Sequence, residues 1–379
     1  MIDEPFSVLE QELIRFVGQR PPERISESLA CGCYIYGAGH YGRRIAALLT
    51  AKGFPCLAFL DQRADETLSE QDGLPVIHPA RLLATQAQGH CFVLGLHNPH
   101  VDVAAVLAYA HRLPFQHRVW NTDLPDALGE GADNFWMTKR QFLLDNFDRV
   151  RRVGLRFASA ASVETLCALI RFRITGDYAI HPANDFATQY LPPDLPGFDR
   201  PITLVDGGAY TGDTLKSLSG LGVTIGHWIA FEPDQANFNH LAAHARQARV
   251  RADLYPCGLS DHSHQVHFRA EQGAGSSIVE DVEQATTTIN CVALDDAIHG
   301  VAPDYIKLDI EGAESAALEG MRRVIADARP RMAVSAYHRP GDLWLIAERL
   351  STLLPDASLH LCQHGNSAFD TVVYAIPPA

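Results

Sequence analysis

The sequence predicts an α/β chain in which two parallel sheets are each covered by helices on both faces. Short apolar runs alternate with segments of helical periodicity over residues 34–112, and they do so again over residues 202–376. Residues 126–200 lie between these stretches and show helical periodicity with few strand signals. We therefore predict a first α/β domain over residues 1–125, a helical linker over 126–200 and a second α/β domain over 201–379.

The composition is that of a folded protein. The chain has 379 residues, of which 47% are hydrophobic and 20% are charged, and these proportions exclude a disordered chain. The formal net charge of −14 argues against a nucleic-acid partner, since such binding depends on basic side chains. No apolar run reaches the ~20 residues that cross a bilayer, and the N-terminus lacks the pattern of a secretory signal. We expect a cytoplasmic protein without a membrane span.

The elements of the first domain follow from alternating periodicities. An amphipathic helical pattern covers residues 7–29, with a break at Pro21-Pro22 because proline cannot continue a helix. Apolar runs after it predict strands, and the periodic segments between them predict helices. The strands are expected at 34–36, 56–61, 75–77 and 92–96, and the helices at 43–52 and 101–112.

A glycine pattern lies where the first strand meets its helix. The spacing Gly-x-Gly-x-x-Gly is formed by Gly37, Gly39 and Gly42, and Asp61 ends the next strand. Such a loop can bind phosphate at a helix N-terminus, while the acid binds a ribose. Residues 34–96 also resemble the small Rossmann-like domain that precedes some sugar-modifying acetyltransferases, which implies a nucleotide or nucleotide-sugar site. The open alternative is a degenerate domain that only docks on its neighbour or on a second copy in a homodimer.

The second domain follows predicted helices and a proline-rich connector. The helices are expected at 135–150 and 162–173, and the connector covers residues 190–197. Strands are then expected at 202–206, 228–232, 252–257, 305–309, 332–336, 359–363 and 371–376, with helices at 213–221 and 234–246. Two runs that alternate apolar and polar residues, 265–270 and 288–292, predict an antiparallel hairpin over one end of the sheet.

A second glycine loop carries the strongest functional signal. Asp206, Gly208 and Gly212 lie between a predicted strand and helix, where glycine permits a tight turn close to a ligand. Glu232 ends the next strand, where a carboxylate accepts hydrogen bonds from ribose hydroxyls. The pattern therefore predicts an adenosine-type cofactor, but it lacks the glycine spacing of a dinucleotide site. Because the Asp206 carboxylate would repel pyrophosphate and attract a cation, S-adenosylmethionine is predicted rather than NAD.

The same residues resemble those of a known enzyme family. From about residue 160 to 379, the chain is similar to the FkbM family of S-adenosylmethionine-dependent methyltransferases. The segments that carry the resemblance are 205–213, 231–233, 306–314 and 370–375, with a lead-in at 173–178 and 189–190. The resemblance implies a seven-stranded, Rossmann-like class I methyltransferase sheet with a reversed last strand. It also implies O-methylation of a hydroxyl on a carbohydrate or secondary metabolite.

Carried over by position, the resemblance assigns parts of the cofactor to this sequence. The glycine loop would hold the methionine part, the segment after the second strand the ribose, and the segment after the third strand the adenine. The inserted hairpin would reach the cofactor with one of its serines. The residues are Asp206, Gly207, Gly208, Ala209, Tyr210, Gly212 and Asp213 for the methionine part; Glu232 and Pro233 for the ribose; Gly258 and Leu259 for the adenine; and Ser276 and Ser277 in the hairpin.

Methyl transfer to a hydroxyl needs a group that accepts the proton of that hydroxyl. Such a group should lie at the carboxyl ends of the fourth and fifth strands of the second domain. Asp309 ends the fourth strand and Glu311 follows it, while His338 follows the fifth strand. Histidine is a competent general base at neutral pH, and a carboxylate that closes an apolar strand usually faces a cleft. These three residues are the predicted catalytic candidates, whereas Glu314 fits a helix-dipole role better.

Three alternatives stay open from the sequence. Asp309, Glu311 and His338 could form a hard-ligand site for a divalent cation, although our preferred prediction contains no metal. An NAD-dependent oxidoreductase or epimerase could use the first glycine loop, but the chain has no Tyr-x-x-x-Lys pair. A non-catalytic nucleotide sensor would bind a cofactor without turnover.

Overall fold

The computed structural model describes most of the chain, and the chain divides into two compact units. The described residues are 4–65, 68–101, 103–129, 131–182, 185–269, 277–278 and 287–378. Unit 1 comprises Met1–Arg151, Leu166–Pro182 and Asn366–Phe369, and unit 2 comprises Arg152–Thr165, Ala183–Gly365 and Asp370–Ala379. Among the described residues, no helix is long and apolar enough to cross a membrane.

Unit 1 begins with helices and then alternates strands with helices. Its strands are β1 (Cys33–Tyr36), β2 (Cys56–Leu60), β3 (Glu70–Gln71), β4 (Leu74–Ile77), β5 (Cys91–Leu94) and β6 (His117–Val119). Its helices are α1 (Glu4–Gln19), α2 (Pro22–Leu29), α3 (His40–Ala51), α4 (Ala84–Ala87), α5 (Val103–Arg112), α6 (Leu124–Leu128) and α7 (Arg140–Asp145). Two further helices, α8 (Phe147–Gly154) and α9 (Ala160–Thr175), contain boundaries between the units.

The strands of unit 1 form one sheet in the order β3-β4-β2-β1-β5-β6. All neighbours are parallel except β3 and β4. The central strands β1 and β5 are buried along their whole length, as expected where helices cover both faces of a parallel sheet. The sequence did not reveal β3 and β6, because edge strands of 2 and 3 residues are too short to show a period.

Local backbone geometry decides where the predicted helices begin and end. The helical pattern over residues 7–29 forms two helices, because Pro21 is extended and Pro22 begins α2. The pattern over residues 135–150 starts its helix late, at Arg140, because Phe135 has a φ of +51° that no right-handed helix contains.

Unit 2 contains the second alternating series. Its strands are β7 (Ile202–Gly207), β8 (Ile225–Phe231), β9 (Arg251–Tyr255), β10 (Gly258–Leu259), β11 (His264–Arg269), β12 (Ser277–Ile278), β13 (Thr287–Val292), β14 (Tyr305–Leu308), β15 (Arg331–Ser335), β16 (Ser358–Gln363) and β17 (Thr371–Ile376). Its helices are α10 (Asp213–Gly220), α11 (Gln235–Ala248), α12 (Leu294–Ala297), α13 (Glu314–Glu319), α14 (Arg322–Ala328) and α15 (Asp342–Leu353).

The main sheet of unit 2 has seven strands in the order β16-β17-β15-β14-β7-β8-β9. The strands from β15 to β9 are parallel, and β17 is antiparallel to both of its neighbours. This arrangement confirms the seven-stranded sheet with a reversed last strand. The central strand β14 is buried at every position, so polar side chains can reach solvent only beyond its ends.

A smaller sheet contains the predicted hairpin. Its order is β10-β13-β11-β12, and β11 pairs antiparallel with β13 over five residue pairs. The antiparallel pairing of these two runs is confirmed. In addition, β13 pairs in parallel with β10, which connects the smaller sheet to the chain just after β9.

A buried arginine ties together the helices of unit 1. Arg140 donates to Asp123 at 2.5 Å, to Asp126 at 2.6 Å and to the carbonyl oxygen of Ile174 at 2.6 Å. Asp123 is fully buried, and its second oxygen accepts a hydrogen bond from the half-buried Arg20 at 2.9 Å. The carboxylate of Asp123 therefore depends on Arg140 for the compensation of its charge.

Replacing Arg140 should destabilise unit 1 strongly. Arg140→Met leaves Asp123 buried with a weaker partner, and we expect a loss of about 3–5 kcal/mol in the free energy of unfolding. Arg20→Met keeps the buried pair and should lose no more than about 1 kcal/mol. Urea unfolding of both variants measures the difference, and equal losses would contradict the central role of Arg140.

Candidate active site

The central strands of unit 2 end side by side at one edge of the sheet. β7 and β14 are parallel neighbours, with Asp206 level with Lys307. The chain continues from β7 toward β8 and from β14 toward β15, so the two connections run to opposite sides. Ligands of open α/β sheets bind in the crevice at such a switch point, outside the carboxyl ends of the strands. The residues that follow these two strands are therefore the candidate site.

Glycine allows the loop after β7 to lie directly against the chain after β14. Gly208 has a φ of +72°, and a Cβ atom there would lie 1.9 Å from the carbonyl oxygen of Asp309. Gly212 has a φ of +96°, and a Cβ atom there would clash with a side chain of α11. The carbonyl oxygen of Phe231 accepts hydrogen bonds from the N–H groups of Gly208 and Ala209, both at 3.0 Å. The loop conformation is thus fixed by its neighbours.

Asp206, the predicted entrance of the loop, is fully buried and paired. One carboxylate oxygen accepts a hydrogen bond from Trp228 Nε1 at 3.2 Å, and the other lies 3.2 Å from Lys307 Nζ. The same ammonium donates to the carbonyl oxygens of Gly207 at 3.1 Å and Gly208 at 2.6 Å. The negative charge that the sequence argument placed here is therefore compensated inside the protein.

Glu232, directly after β8, bonds to the loop and to the start of α11. One carboxylate oxygen accepts from the N–H of Tyr210 and the other from the N–H of Asp234, both at 2.9 Å. Burial raises the pKa of Glu232 to about 7, although these hydrogen bonds act in the opposite direction. Each oxygen keeps a further lone pair, which a ribose hydroxyl could use. Pro233 continues the chain toward α11.

The residues predicted for the adenine lie beside the loop. Gly258 and Leu259 form β10, and a Cβ atom on Gly207 would lie 3.0 Å from Leu259 Cδ1. The structure therefore brings Leu259 next to the glycine loop. Ser276 and the side chain of Ser277 lie outside the described residues.

Asp213 begins α10 directly after the loop, and burial raises its pKa. The charges nearest to it belong to Lys307, which lowers this pKa, and to Asp206 and Asp309, which raise it. These interactions place Asp213 in the same charged environment as the residues after β14.

Asp309, directly after β14, accepts hydrogen bonds from two tyrosines. The Tyr190 hydroxyl lies 3.0 Å from one oxygen, and the Tyr337 hydroxyl lies 3.4 Å from the other, which is also 3.4 Å from His338 Nε2. Burial acts to raise the pKa of Asp309, but the positive charges of His338 and Lys307 bring it below its ordinary value. Asp309 is therefore held as a carboxylate.

His338, which follows β15, lies among three carboxylates. Its Nδ1 is 2.9 Å from Glu314, and its Nε2 is 3.4 Å from Asp309 and 3.6 Å from Glu311. Burial acts to lower the pKa of His338, but the charges of Glu314 and Glu311 raise it to about 10. The imidazole is therefore protonated at neutral pH, and in that state it cannot accept another proton.

Glu311 occupies a tight turn after Asp309. Its φ is +57°, and the φ of the following Gly312 is +95°. Burial raises the pKa of Glu311 to about 8; His338 opposes this rise, and the carboxylates of Asp309 and Glu314 add to it. Of the two acids predicted as catalytic candidates, Glu311 has the pKa nearer to neutral pH.

The sequence of this region matches a known domain. Residues 206–367 match the sequence model described as the methyltransferase FkbM domain. We refer to this part of the chain as the FkbM domain. The glycine loop, Glu232, Asp309 and His338 all lie within it, and the family resemblance seen in the sequence is confirmed. The match does not include the first glycine pattern.

A solved structure supports the fold of the FkbM domain. The crystal structure of a methyltransferase FkbM from Methylobacillus flagellatus KT has a TM-score of 0.77 and 22% sequence identity, covering 99% of this chain and 99% of that chain. At this identity the likeness shows the fold. A putative rRNA-methylase from Clostridium thermocellum (TM-score 0.31, 10% identity, 47% of this chain and 88% of that chain) is too distant to support an argument. None of the curated proteins matches the sequence.

Sequence reasoning did not recognise the roles of three residues of the site. Lys307 could have been noticed as a lysine in the middle of an apolar strand. Glu314 was interpreted through the helix dipole, but it is fully buried, accepts a hydrogen bond from the N–H of Ile310 and forms an ion pair with His338. Tyr190 precedes the FkbM domain and was noticed only as part of its lead-in.

The cation alternative involves a slightly different set of residues. Ligand atoms of Asp309, Glu314 and His338 lie within 4.8 Å of one another, so Glu314 takes the place that the sequence gave to Glu311. The ion pairs among these groups use the same atoms that would bind a cation. The metal alternative therefore stays a prediction.

In unit 1, Asp61 bonds to its own surroundings. One oxygen accepts from the N–H of Ala38 at 2.9 Å, and both oxygens accept from Arg63 at 2.9–3.0 Å. Burial acts to raise the pKa of Asp61, but the hydrogen bonds from Arg63 and Ala38 lower it to about 2. Its predicted contact with a ribose stays a prediction.

The glycines of the first pattern have separate structural reasons. A Cβ atom on Gly42 would lie 1.9 Å from the carbonyl oxygen of Gly37, so the first turn of α3 packs against the end of β1. Gly37 itself has a φ of +110°, and Gly39 is the N-cap of α3 without a side-chain cap. Packing alone accounts for Gly42, and phosphate binding by this loop stays a prediction.

The raised pKa values predict that the FkbM domain loses stability as the pH rises from about 4.5 to 10. Over this range the folded state holds protons that the unfolded chain releases, so the free energy of unfolding falls with increasing pH. The contribution of Glu311 is lost between its ordinary 4.5 and about 8. The contribution of His338 is complete below 6.5 and is lost as the pH rises through about 10. Urea unfolding at about pH 5, 7 and 9 measures the trend.

Glu311→Gln is the matched variant for this prediction. It removes the titration of Glu311 and should flatten the decline between pH 4.5 and 8. A wild-type free energy of unfolding that stays constant across the range would show that these groups do not titrate as described.

Proposed function

We propose that the protein is an S-adenosylmethionine-dependent O-methyltransferase that acts on a hydroxyl group of a carbohydrate or secondary metabolite. The proposal rests on one observation: a glycine loop, a ribose-type acid and a group of carboxyl side chains meet at the switch point of the FkbM domain. Ligands of such sheets bind at that point. The acceptor class comes from the family resemblance alone.

The residues at this edge fit a cationic adenosine cofactor. The loop over residues 207–213 would hold the methionine part, and its glycines let it lie directly against the chain after β14 and against α11. Glu232 would accept hydrogen bonds from the ribose through its remaining lone pairs, and Leu259 offers an apolar side chain for the adenine. The carboxyl groups of Asp213 and Asp309 favour a ligand with a positive charge.

The chain has three tasks in this reaction. When bound, S-adenosylmethionine supplies a methyl group attached to a positively charged sulfur. The protein must orient the acceptor hydroxyl in line with that methyl group, exclude water and receive the hydroxyl proton. The side chains that could receive the proton lie at the carboxyl ends of β14 and β15.

Glu311 is the best proton acceptor among the three predicted candidates. His338 is already protonated at neutral pH, so its role is to stabilise the neighbouring carboxylates. Asp309 accepts hydrogen bonds from Tyr190 and Tyr337 and has a lowered pKa, which makes it a weak base. Glu311 has a pKa of about 8, near the value at which general bases work best. Asp309 then orients the acceptor and His338.

The two rival functions are less well supported. An oxidoreductase or epimerase would use the glycine loop of unit 1, where Asp61 is engaged by Arg63 and Ala38. A sensor would bind the cofactor without turnover. Neither rival explains the carboxyl groups after β14. A homodimer and a nucleotide at unit 1 stay predictions from the sequence.

Calorimetry and a transfer assay test the proposal. The purified full chain should bind S-adenosylmethionine, and it should transfer a labelled methyl group to hydroxyl compounds in a panel of sugars, glycosides and polyketides. Binding without transfer to any of them would favour the sensor. An absence of binding would refute the proposed function.

The pH dependence of transfer identifies the proton acceptor. With Glu311 as the acceptor, the rate should rise with pH and level off near or somewhat below 8, since a bound sulfonium lowers the pKa of a nearby carboxyl group. A rise complete below about pH 4 would indicate Asp309 instead, and a rise that continues to about 10 would indicate His338.

Two variants test the assignment of Glu311 as the proton acceptor. Glu311→Gln should lower kcat about 10²- to 10⁴-fold and remove the rise, with little change in the affinity for S-adenosylmethionine. Asp327→Asn in α14 is the control, because Asp327 is largely exposed and should leave the rate unchanged. Wild-type kcat in Glu311→Gln would exclude Glu311 as the acceptor.

A further inference from the structure

Lys307 is a buried cation in the middle of the central strand of unit 2. Only 2% of the residue is exposed, and β14 has parallel neighbours on both sides. A buried ammonium group is unfavourable unless each of its N–H groups finds a partner. A chain that keeps a lysine at this position therefore needs its charge or its hydrogen bonds there.

Among the described residues, the polar partners of Lys307 belong to the strand and loop proposed to hold the cofactor. The ammonium lies 3.2 Å from the carboxylate of Asp206, and it donates to the carbonyl oxygens of Gly207 at 3.1 Å and Gly208 at 2.6 Å. Gly208 is the residue whose φ of +72° turns the loop toward Asp309. Lys307 therefore holds the carbonyl groups on both sides of that turn.

A tyrosine covers the ammonium on a further side. The ring of Tyr190 lies 5.5 Å from Lys307 Nζ, in cation–π range. Tyr190 is itself fixed at both backbone polar groups: its N–H donates to the Tyr374 hydroxyl at 3.1 Å, and its carbonyl oxygen accepts from the Tyr305 hydroxyl at 2.5 Å. These bonds hold a tyrosine with a φ of +71°, a strained value for a residue with a side chain.

We propose that Lys307 is a positioning residue for the cofactor loop, and that Tyr190 keeps its ammonium in place. Lys307 does not touch the cofactor in this proposal, which rests on the proposed function. Its ammonium fixes the loop through the carbonyl groups of Gly207 and Gly208, and it neutralises Asp206. Tyr190 extends the site to a residue that precedes the FkbM match.

The charge of the ligand distinguishes the proposed role of Lys307 from a merely structural one. S-adenosylmethionine carries a sulfonium, whereas S-adenosylhomocysteine lacks the methyl group and has a neutral sulfur. Loss of the Lys307 charge leaves the Asp206 carboxylate, directly before the loop, without a compensating charge. The extra negative charge then favours binding of the compound with the sulfonium. A disordered loop would weaken the binding of both compounds equally and would leave their ratio unchanged.

Calorimetric titration of the full chain with both compounds tests the proposal. The titration is carried out at about pH 9, because carboxyl groups are ordinarily ionised at that pH. Lys307→Met should bind S-adenosylhomocysteine at least about tenfold more weakly, with the affinity ratio shifted about five- to tenfold toward S-adenosylmethionine. The double variant Lys307→Met with Asp206→Asn removes both charges. It should return to the wild-type ratio while both affinities stay weak.

A second pair of variants tests the tyrosine and does not depend on the folding of Lys307→Met. Tyr190→Leu removes the ring over the ammonium of Lys307. It should weaken the binding of both compounds about fivefold, without a change in the ratio of their affinities. Tyr190→Phe keeps the ring and should bind both compounds more tightly than Tyr190→Leu does.

The outcomes are distinct. Wild-type affinities in Lys307→Met would overturn the positioning role of Lys307, and equal losses for the two compounds would overturn its neutralisation of Asp206. If that variant does not fold, equal affinities of Tyr190→Leu and Tyr190→Phe would overturn the proposal. A wild-type protein that binds neither compound would remove the proposed function and this inference together.

Discussion

Two buried cations hold the carboxyl edge of unit 2 together. Lys307 pairs with Asp206 at the end of β7, and His338 pairs with Asp309 after β14 and with Glu314 at the start of α13. Separating a buried ion pair leaves an uncompensated charge, which destabilises a protein by about 3–5 kcal/mol. The loops after β7, β14 and β15 are therefore linked to one another through charge as well as through the sheet.

The backbone at the same edge is strained. Tyr190, Tyr210 and Glu311 all have a positive φ, between 48° and 71°, although each carries a large side chain. Such conformations persist only where the surrounding contacts determine them, and they are common at functional sites. Here the contacts are hydrogen bonds to Tyr374 and Glu232 and the tight turn after Asp309. These contacts come from the protein itself, and a site held by its own contacts loses less entropy on binding.

The sequence predicted the architecture of unit 2 well, because its strands are long apolar runs with a glycine or an acid at their ends. β7 and β14 are clear examples, and their order around the switch point follows from the resemblance. The edge strands β3 and β6 were missed because they are too short to show a period. Periodicity carries no information about which charges meet in space, so the compensation of Asp206 by Lys307 could not be derived from it.

The protonation states of the site residues could not be predicted from the sequence either. His338 looked like a general base because histidine ordinarily titrates near neutral pH. Its pKa depends on Glu314 and Glu311, which lie 24 and 27 residues earlier in the chain and come close only when β14 and β15 pair. A residue type predicts an ordinary pKa, whereas the folded neighbours decide the actual one.

The arrangement of charges also suits the whole reaction in the proposed function. Methyl transfer turns a sulfonium into a neutral sulfide and releases one proton from the acceptor hydroxyl. If Glu311 receives that proton, the positive charge moves from the sulfur to the carboxyl group and the net charge of the edge does not change. No charge then has to cross the buried region during the transfer step, and the ion pairs of Lys307 and His338 can stay intact. A partly exposed acid beside a histidine that is protonated at neutral pH can afterwards release the proton to solvent without opening the site.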